Sequence, residues 1–146
     1  MDLPQKINAA LVAYLAGLTP PSGFTADMIQ PGESDEDKDS QVIICAAGDA
    51  TEEVPPKTAN MMVPVGIELH TPFYLASGVS SLSQHQAVAE FLEAAVLDDD
   101  LAALLTAAQA DFTCLGVPQR TPISGQTDGV YVSGWSLQMY CNSIAP

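Results

Sequence analysis

The chain has 146 residues, 47% of them hydrophobic, and sets only 4 Lys and Arg against 18 Asp and Glu, for a formal charge of -14. That length and apolar content suffice for one domain, residues 1–146, with its own core and no metal or disulfide staple. The charge excludes a surface that grips nucleic-acid phosphates, because that affinity rests on Lys and Arg displacing counterions. The opening MDLPQKINAALVAYLAGL carries Asp2 and no basic run before its apolar stretch. No apolar run nears the roughly 18 residues of a membrane span, so the expectation is a soluble protein made in a cytoplasm.

Ile7, Leu11, Tyr14, Leu15 and Leu18 fall at helical spacing, with Asp2 and Gln5 placed as a capping box and Pro4 tolerated in the first turn. Pro20 and Pro21 close that helix. Residues 20–40 are rich in turn formers and finish in ESDEDKDS, which predicts a flexible acidic surface loop. In QVIICAA, residues 41–47, Val42 and Ile44 face one way and Ile43 and Cys45 the other, the pattern of a strand buried on both sides and central in its sheet. MMVPVGIELHTP is one-sided: Val63, Val65, Ile67 and Leu69 share a face, while Met62, Pro64, Gly66, Glu68 and His70 share the other. Pro64 has no N–H for a ladder bond, which pushes this strand toward an edge, or toward an arm that leaves the sheet. Pro64 and Glu68, on its outward face, are therefore candidates for contact with another subunit.

SQHQAVAEFLEAAVL places Val88, Phe91, Leu92, Ala95 and Val96 on one helical stripe, with Ser83 and Gln86 as its cap. Asp98, Asp99 and Asp100 then precede Leu101, Leu104, Leu105 and Ala108, as if one helix stops and another starts with carboxylates at its positive end; one long helix is the alternative. DFTCLGVPQ predicts a strand, RTPISGQTDG a loop, and GVYVSGWSLQMYC a last strand with Tyr131, Ser133, Trp135, Leu137, Met139 and Cys141 on one face. The two strands predict an antiparallel hairpin with a long polar tip holding Arg120 and Asp128. That pair is read either as a local ion pair or as a contact with a neighbouring subunit. The order of elements predicts an α+β fold: a mainly antiparallel sheet of about four strands with helices packed on one face, the Trp135 side of the last strand meeting the Phe91 stripe.

Chemistry is sparse. Asp35, Asp37 and Asp39 alternate as the first ligands of a calcium loop do, but Ser40 stands where the turn glycine is wanted and Ala46 where the bidentate Glu should fall. His70 and His85 are the only histidines and no cysteines have zinc-ligand spacing, so both histidines are expected at the surface or in a capping role. SGVSSLS is no nucleophile elbow, and Cys114 with His85 is the one nucleophile and base pairing left to consider. Cys45, Cys114 and Cys141 are odd in number and lie in apolar strand-like runs, which predicts buried free thiols, with a disulfide or a reactive thiol as the alternative. Glu90 and Glu93 fall on the polar side of their helix, and no glycine-rich phosphate loop appears. The expectation is a structural or assembly protein, not an enzyme, with no catalytic residues, cofactor or metal.

The run of QVIICAA, MMVPVGIELHTP, HQAVAEFLEAAV, DFTCLGVPQ and GVYVSGWSLQMYC, spanning most of residues 41–141, resembles in element order the tail terminator (tail completion) proteins of long-tailed bacteriophages. The resemblance implies a virion protein of the tail or neck, assembled in the host cytoplasm as a homohexameric ring. The ring caps the tail tube, stops its polymerisation and meets a head-side neck or connector protein. Arg120, Asp128, Pro64 and Glu68 become its interface candidates. Six subunits would carry 6 × (-14) = -84 formal charges, so that DNA passes the lumen without specific binding. The acidic stretch 20–40 is more than the family pattern requires. Another head-tail connector, such as a head-completion or stopper protein, is the runner-up, and a small cytoplasmic enzyme or ligand-binding domain the third reading.

Overall fold

The computed structural model describes residues 3–21, 24–32, 41–46, 60–74, 81–109, 112–127 and 129–142. Helix α1 covers Leu3–Ala16 and buries the predicted Ile7, Leu11, Tyr14 and Leu15, together with Leu3, Pro4 and Ala10, while Leu18 lies past its end and is half-buried. Pro4 sits in the first turn, where its missing N–H has no helical partner to lose. Asp2, the expected cap, lies outside the described residues. A short 3-10 turn, Ala26–Met28, leads into β1, Ile29–Pro31, and β2 follows at Gln41–Ala46. The rest of the chain forms β3 (Asn60–Pro72), α2 (Leu82–Val96), α3 (Leu101–Ala108), β4 (Thr113–Thr127) and β5 (Val130–Asn142).

The strands make one sheet in the order β1-β2-β3-β5-β4, antiparallel throughout except for the parallel pair β1 and β2. The α+β architecture and its mainly antiparallel sheet are as the sequence predicts, with one strand more. That strand, β1, falls inside the stretch read as a loop. Its anchors are apolar: Ile29 is buried on the sheet, and Phe24 just before it is buried with its ring 6.2 Å from that of Phe91 on α2. The acidic residues 33–40 lie outside the described residues.

Two further expectations are corrected. β3 is a central strand, with β2 on one side and β5 on the other. Pro64 is nonetheless accommodated, because β2 pairs only with Val65–His70 while Asn60–Pro64 pairs with β5 alone among the described pairings. The β4–β5 hairpin exists, but RTPISGQTDG is strand for most of its length: pairing runs from Arg120↔Leu137 to Thr127↔Val130. Gly129, just before β5, has φ +74°, a conformation that favours glycine.

Val42 and Ile44 on β2, Val63, Val65, Ile67 and Leu69 on β3, and Trp135, Leu137, Met139 and Cys141 on β5 lie on one face of the sheet and form its half of the core. The helices supply the other half through Ile7, Leu11, Leu15, Val88, Leu92, Val96, Leu101 and Leu105. Trp135 shares that buried cluster with Val88, Leu92 and Ala95 of α2, with Phe91 partly buried against it, and lines one cavity with Ala89, Glu90 and Glu93 of the same helix. Helix α2 ends at Val96 and α3 begins at Leu101, so the three aspartates mark a break. The N-cap of α2 is Ser81, not Ser83, which lies inside the helix. Ser81 Oγ donates to the carbonyls of Pro72 and Phe73 and so ties the helix start to the end of β3.

Candidate interaction surface

The side of β3, β5 and β4 turned away from the helices carries a different population. Register aligns Met62 with Tyr140, Pro64 with Gln138, Gly66 with Ser136, Glu68 with Gly134 and His70 with Val132. Across β5 from these lie Gly116, Gln119, Thr121 and Ile123 of β4. Met62 is 47% exposed and Tyr140 39%, and with Gly116, Val117 and Pro118 they line an open apolar depression of ≈ 390 Å³ at one corner. The corner exists because β4 is irregular there: its register slips between Cys114 and Gly116 and again between Gly116 and Gln119. Such bulges re-aim the strand and interrupt an edge that would otherwise pair freely.

Pro64 and Glu68, the interface candidates on β3, are both exposed on this face. Glu68 is held in place. Its carboxylate accepts a hydrogen bond from His70 Nε2 at 2.8 Å, two residues along the same face. Its stem lies over Gly134, where an added Cβ would meet Glu68 Cγ at 3.2 Å and the Ile67 carbonyl oxygen at 2.8 Å. Glycine at 134 is therefore required by close approach of the neighbouring strand.

Arg120 is elsewhere. Opposite Leu137, it belongs to the helix-covered face, with Thr121–Thr127 between it and the turn. Its Nη1 donates to the carbonyls of Val96 and Asp98, each at 2.9 Å, and its Nε donates to Val117 O at 3.3 Å. Tyr14 Oη donates to the neighbouring Ala95 carbonyl at 2.9 Å, so α1 and β4 together cover the negative end of α2. Burial, with the charge of Asp98, pushes the Tyr14 hydroxyl up from its ordinary pKa and keeps it a donor. Asp128 lies outside the described residues.

His85 is not a surface residue; it is buried on α2, with Nδ1 2.9 Å from Thr71 Oγ1 on β3 and Nε2 2.8 Å from Ser133 Oγ on β5. Its ring lies 5.6 Å from that of Tyr131. The signal was present, because 85, 88, 92 and 96 form one helical stripe and a polar member of a buried stripe needs partners. Burial, and then His70, hold its pKa below the ordinary value, so it is neutral near pH 7 and the two hydroxyls complete its bonding. A serine beside a neutral imidazole is the start of a nucleophile pair, yet Thr71 offers Nδ1 a hydroxyl where a carboxylate would be needed to stabilise an imidazolium. Next to Ser133, a cavity of ≈ 170 Å³ is lined by Glu90, Glu93, Pro122 and Trp135, whose buried Nε1 has no hydrogen-bond partner.

Cys114 is opposite Cys141 and away from His85, so the Cys114–His85 pairing does not form. Among the described residues, no three His, Cys, Asp or Glu side chains gather as metal ligands, and no helix is long and apolar enough to cross a membrane. Compared with protein-family models, curated proteins and solved structures, the chain finds no match.

Proposed function

We propose that this chain is a ring-forming structural protein of a bacteriophage tail, a tail terminator that caps the tail tube and meets the head-side neck. The observation that carries the reading is the face of the sheet turned away from the described helices. It spans three strands, sets Met62, Tyr140 and the β4 bulge at one end as an apolar corner, and fixes Glu68 and His70 at the other. Exposed apolar corners bordered by ordered polar groups suit subunit contact, and on so acidic a chain they offer attraction where charge alone repels. Pro64 and Glu68 lie in this face and would take part in the contact.

Negative-stain imaging of the purified protein, alone and with tail tubes, tests the proposal. Rings at tube ends are the expected result. Met62→Asp and Tyr140→Asp should leave thermal unfolding nearly unchanged and abolish the rings. A chain that stays monomeric under both conditions overturns it. Rings that form only with a portal complex would assign the chain to the neck as a stopper.

A second reading, a small-ligand domain, draws on the Ser133 and Trp135 cavity beside His85. Trp135 is the only tryptophan, so its fluorescence reports occupancy directly. A saturable change on adding small metabolites, lost in Ser133→Leu, would favour that reading.

A further inference from the structure

We propose that Cys114 and Cys141 form a reversible cross-strand disulfide when the chain meets a small disulfide oxidant. The two residues are direct partners in the β4–β5 ladder, and both are buried and free. Directly opposed residues of antiparallel strands have Cα atoms about 4.5 or about 5.5 Å apart, and both spacings fall within the range that a disulfide spans. Both side chains belong to the buried core on the helix-covered side of the ladder, and Cys114 Sγ donates to the Gly116 carbonyl at 3.6 Å. Closing the bond therefore requires no separate approach of the strands.

The local structure also supplies access. Thr113↔Asn142 is the last described pair of the ladder, so the cysteines lie one pair from its end, where opening costs least. The β4 register slips immediately after Cys114, which lets the backbone adjust to the new bond. On the other side, Thr106 of α3 exchanges hydrogen bonds with the Cys114 backbone and holds the strand end against the core.

The two thiols are not equivalent. The hydrogen bond from Cys141 holds Cys114 below the ordinary thiol value, and the same bond, with burial, pushes Cys141 up. Cys114 is accordingly the attacking thiolate. It displaces one thiolate from the small disulfide and forms a mixed disulfide. Cys141 then loses its proton, attacks the Cys114 sulfur and releases the second thiolate. Two protons leave the protein, and its two electrons reduce the oxidant to two thiols. The inference stands on the geometry of the hairpin and holds whatever the chain assembles with.

The test uses the full chain carrying Cys45→Ser, so that only the pair remains, incubated natively with oxidised glutathione and then alkylated with N-ethylmaleimide. The expected product is lighter by two hydrogens and takes up no label, and dithiothreitol restores both thiols. Its melting temperature should rise by about 5 °C, since the bond closes a long hairpin. The further variant Cys114→Ser should gain no intramolecular bond. Two labelled thiols after oxidation, a product that stops at the glutathione adduct, or a bond that appears only in denaturant would each overturn the proposal. Peptide mapping of the unsubstituted chain makes the same decision if Cys45→Ser folds poorly.

Discussion

Arg120 Nη1 donates to the carbonyl oxygen of Val96, the last residue of α2, at 2.9 Å. The same nitrogen reaches Asp98 O, so one guanidinium closes the corner between two helices from a strand on the sheet. Arg120→Met should therefore cost about 2 kcal/mol, the scale of losing hydrogen bonds to a charged donor. Arg120→Glu should cost more, because it sets a carboxylate against the negative end of the helix. Urea unfolding measures both. Unchanged midpoints would mean that α2 holds its end without this residue, and would return Arg120 to the pool of interface candidates.

His85 makes stability depend on pH. Burial holds its folded-state pKa below the ordinary imidazole value, so the unfolded chain takes up a proton at a pH where the folded chain does not. Its contribution is complete above about pH 6.5 and is lost as pH falls from there toward the lower folded-state pKa. Unfolding midpoints should drop between about pH 7.5 and pH 5.5, and His85→Gln should flatten that part of the profile. An equal slope in the variant would assign the effect to other groups.

Trp135 fills the space under α2 and yet leaves its Nε1 unpaired. Trp135→Ala should cost about 3–5 kcal/mol, a large part of the stability of a domain this size. Trp135→Phe should cost much less, since the group it deletes makes no hydrogen bond and only the lost ring volume counts against it. Equal losses in the two variants, read by denaturant unfolding, would show that the indole N–H has a partner in solution.

Gly134→Ala places a methyl 2.8 Å from the Ile67 carbonyl oxygen and beneath the Glu68 stem. The strands must part locally, at a cost of about 1–3 kcal/mol, and the Glu68 to His70 bond should loosen with them. Thermal unfolding reads the first effect, and the His70 imidazole resonances read the second.

Much of this fold is visible in periodicity. The alternation of Val63 to Leu69 and of Trp135 to Cys141, and the stripe of Val88, Leu92 and Ala95, follow from burying one face of each element, and the structure buries those faces. β1 is hidden because three residues show no period, and its anchors Phe24 and Ile29 stand among turn formers. Pro64 misled because proline forbids a ladder bond only where a neighbour strand asks for one, and strand lengths are not written in any single strand. Arg120 misled for the same reason: its place in β4, and hence its face, depends on where the hairpin turns. Of the candidate surface, alternation predicts that Pro64 and Glu68 point outward. The depression at Met62 and Tyr140 arises from bulges that have no sequence period.

The strand order has a consequence for biosynthesis. β5 leaves the ribosome after every other strand of the sheet, yet it lies between β3 and β4 and pairs with both along its whole length. Until residue 142 has emerged, the backbone edge of β3 that faces β5 is open, its core face of Val63, Val65, Ile67 and Leu69 is incompletely covered, and β4 has no partner among the described strands. The nascent chain can pair β1, β2 and β3 before that, but the half of the sheet that β5 joins, and the core beneath it, closes only once the hairpin has been made. Chaperones that shield apolar surface during that interval, and the rate at which ribosomes deliver residues 113–142, will set how much of this protein reaches the folded state.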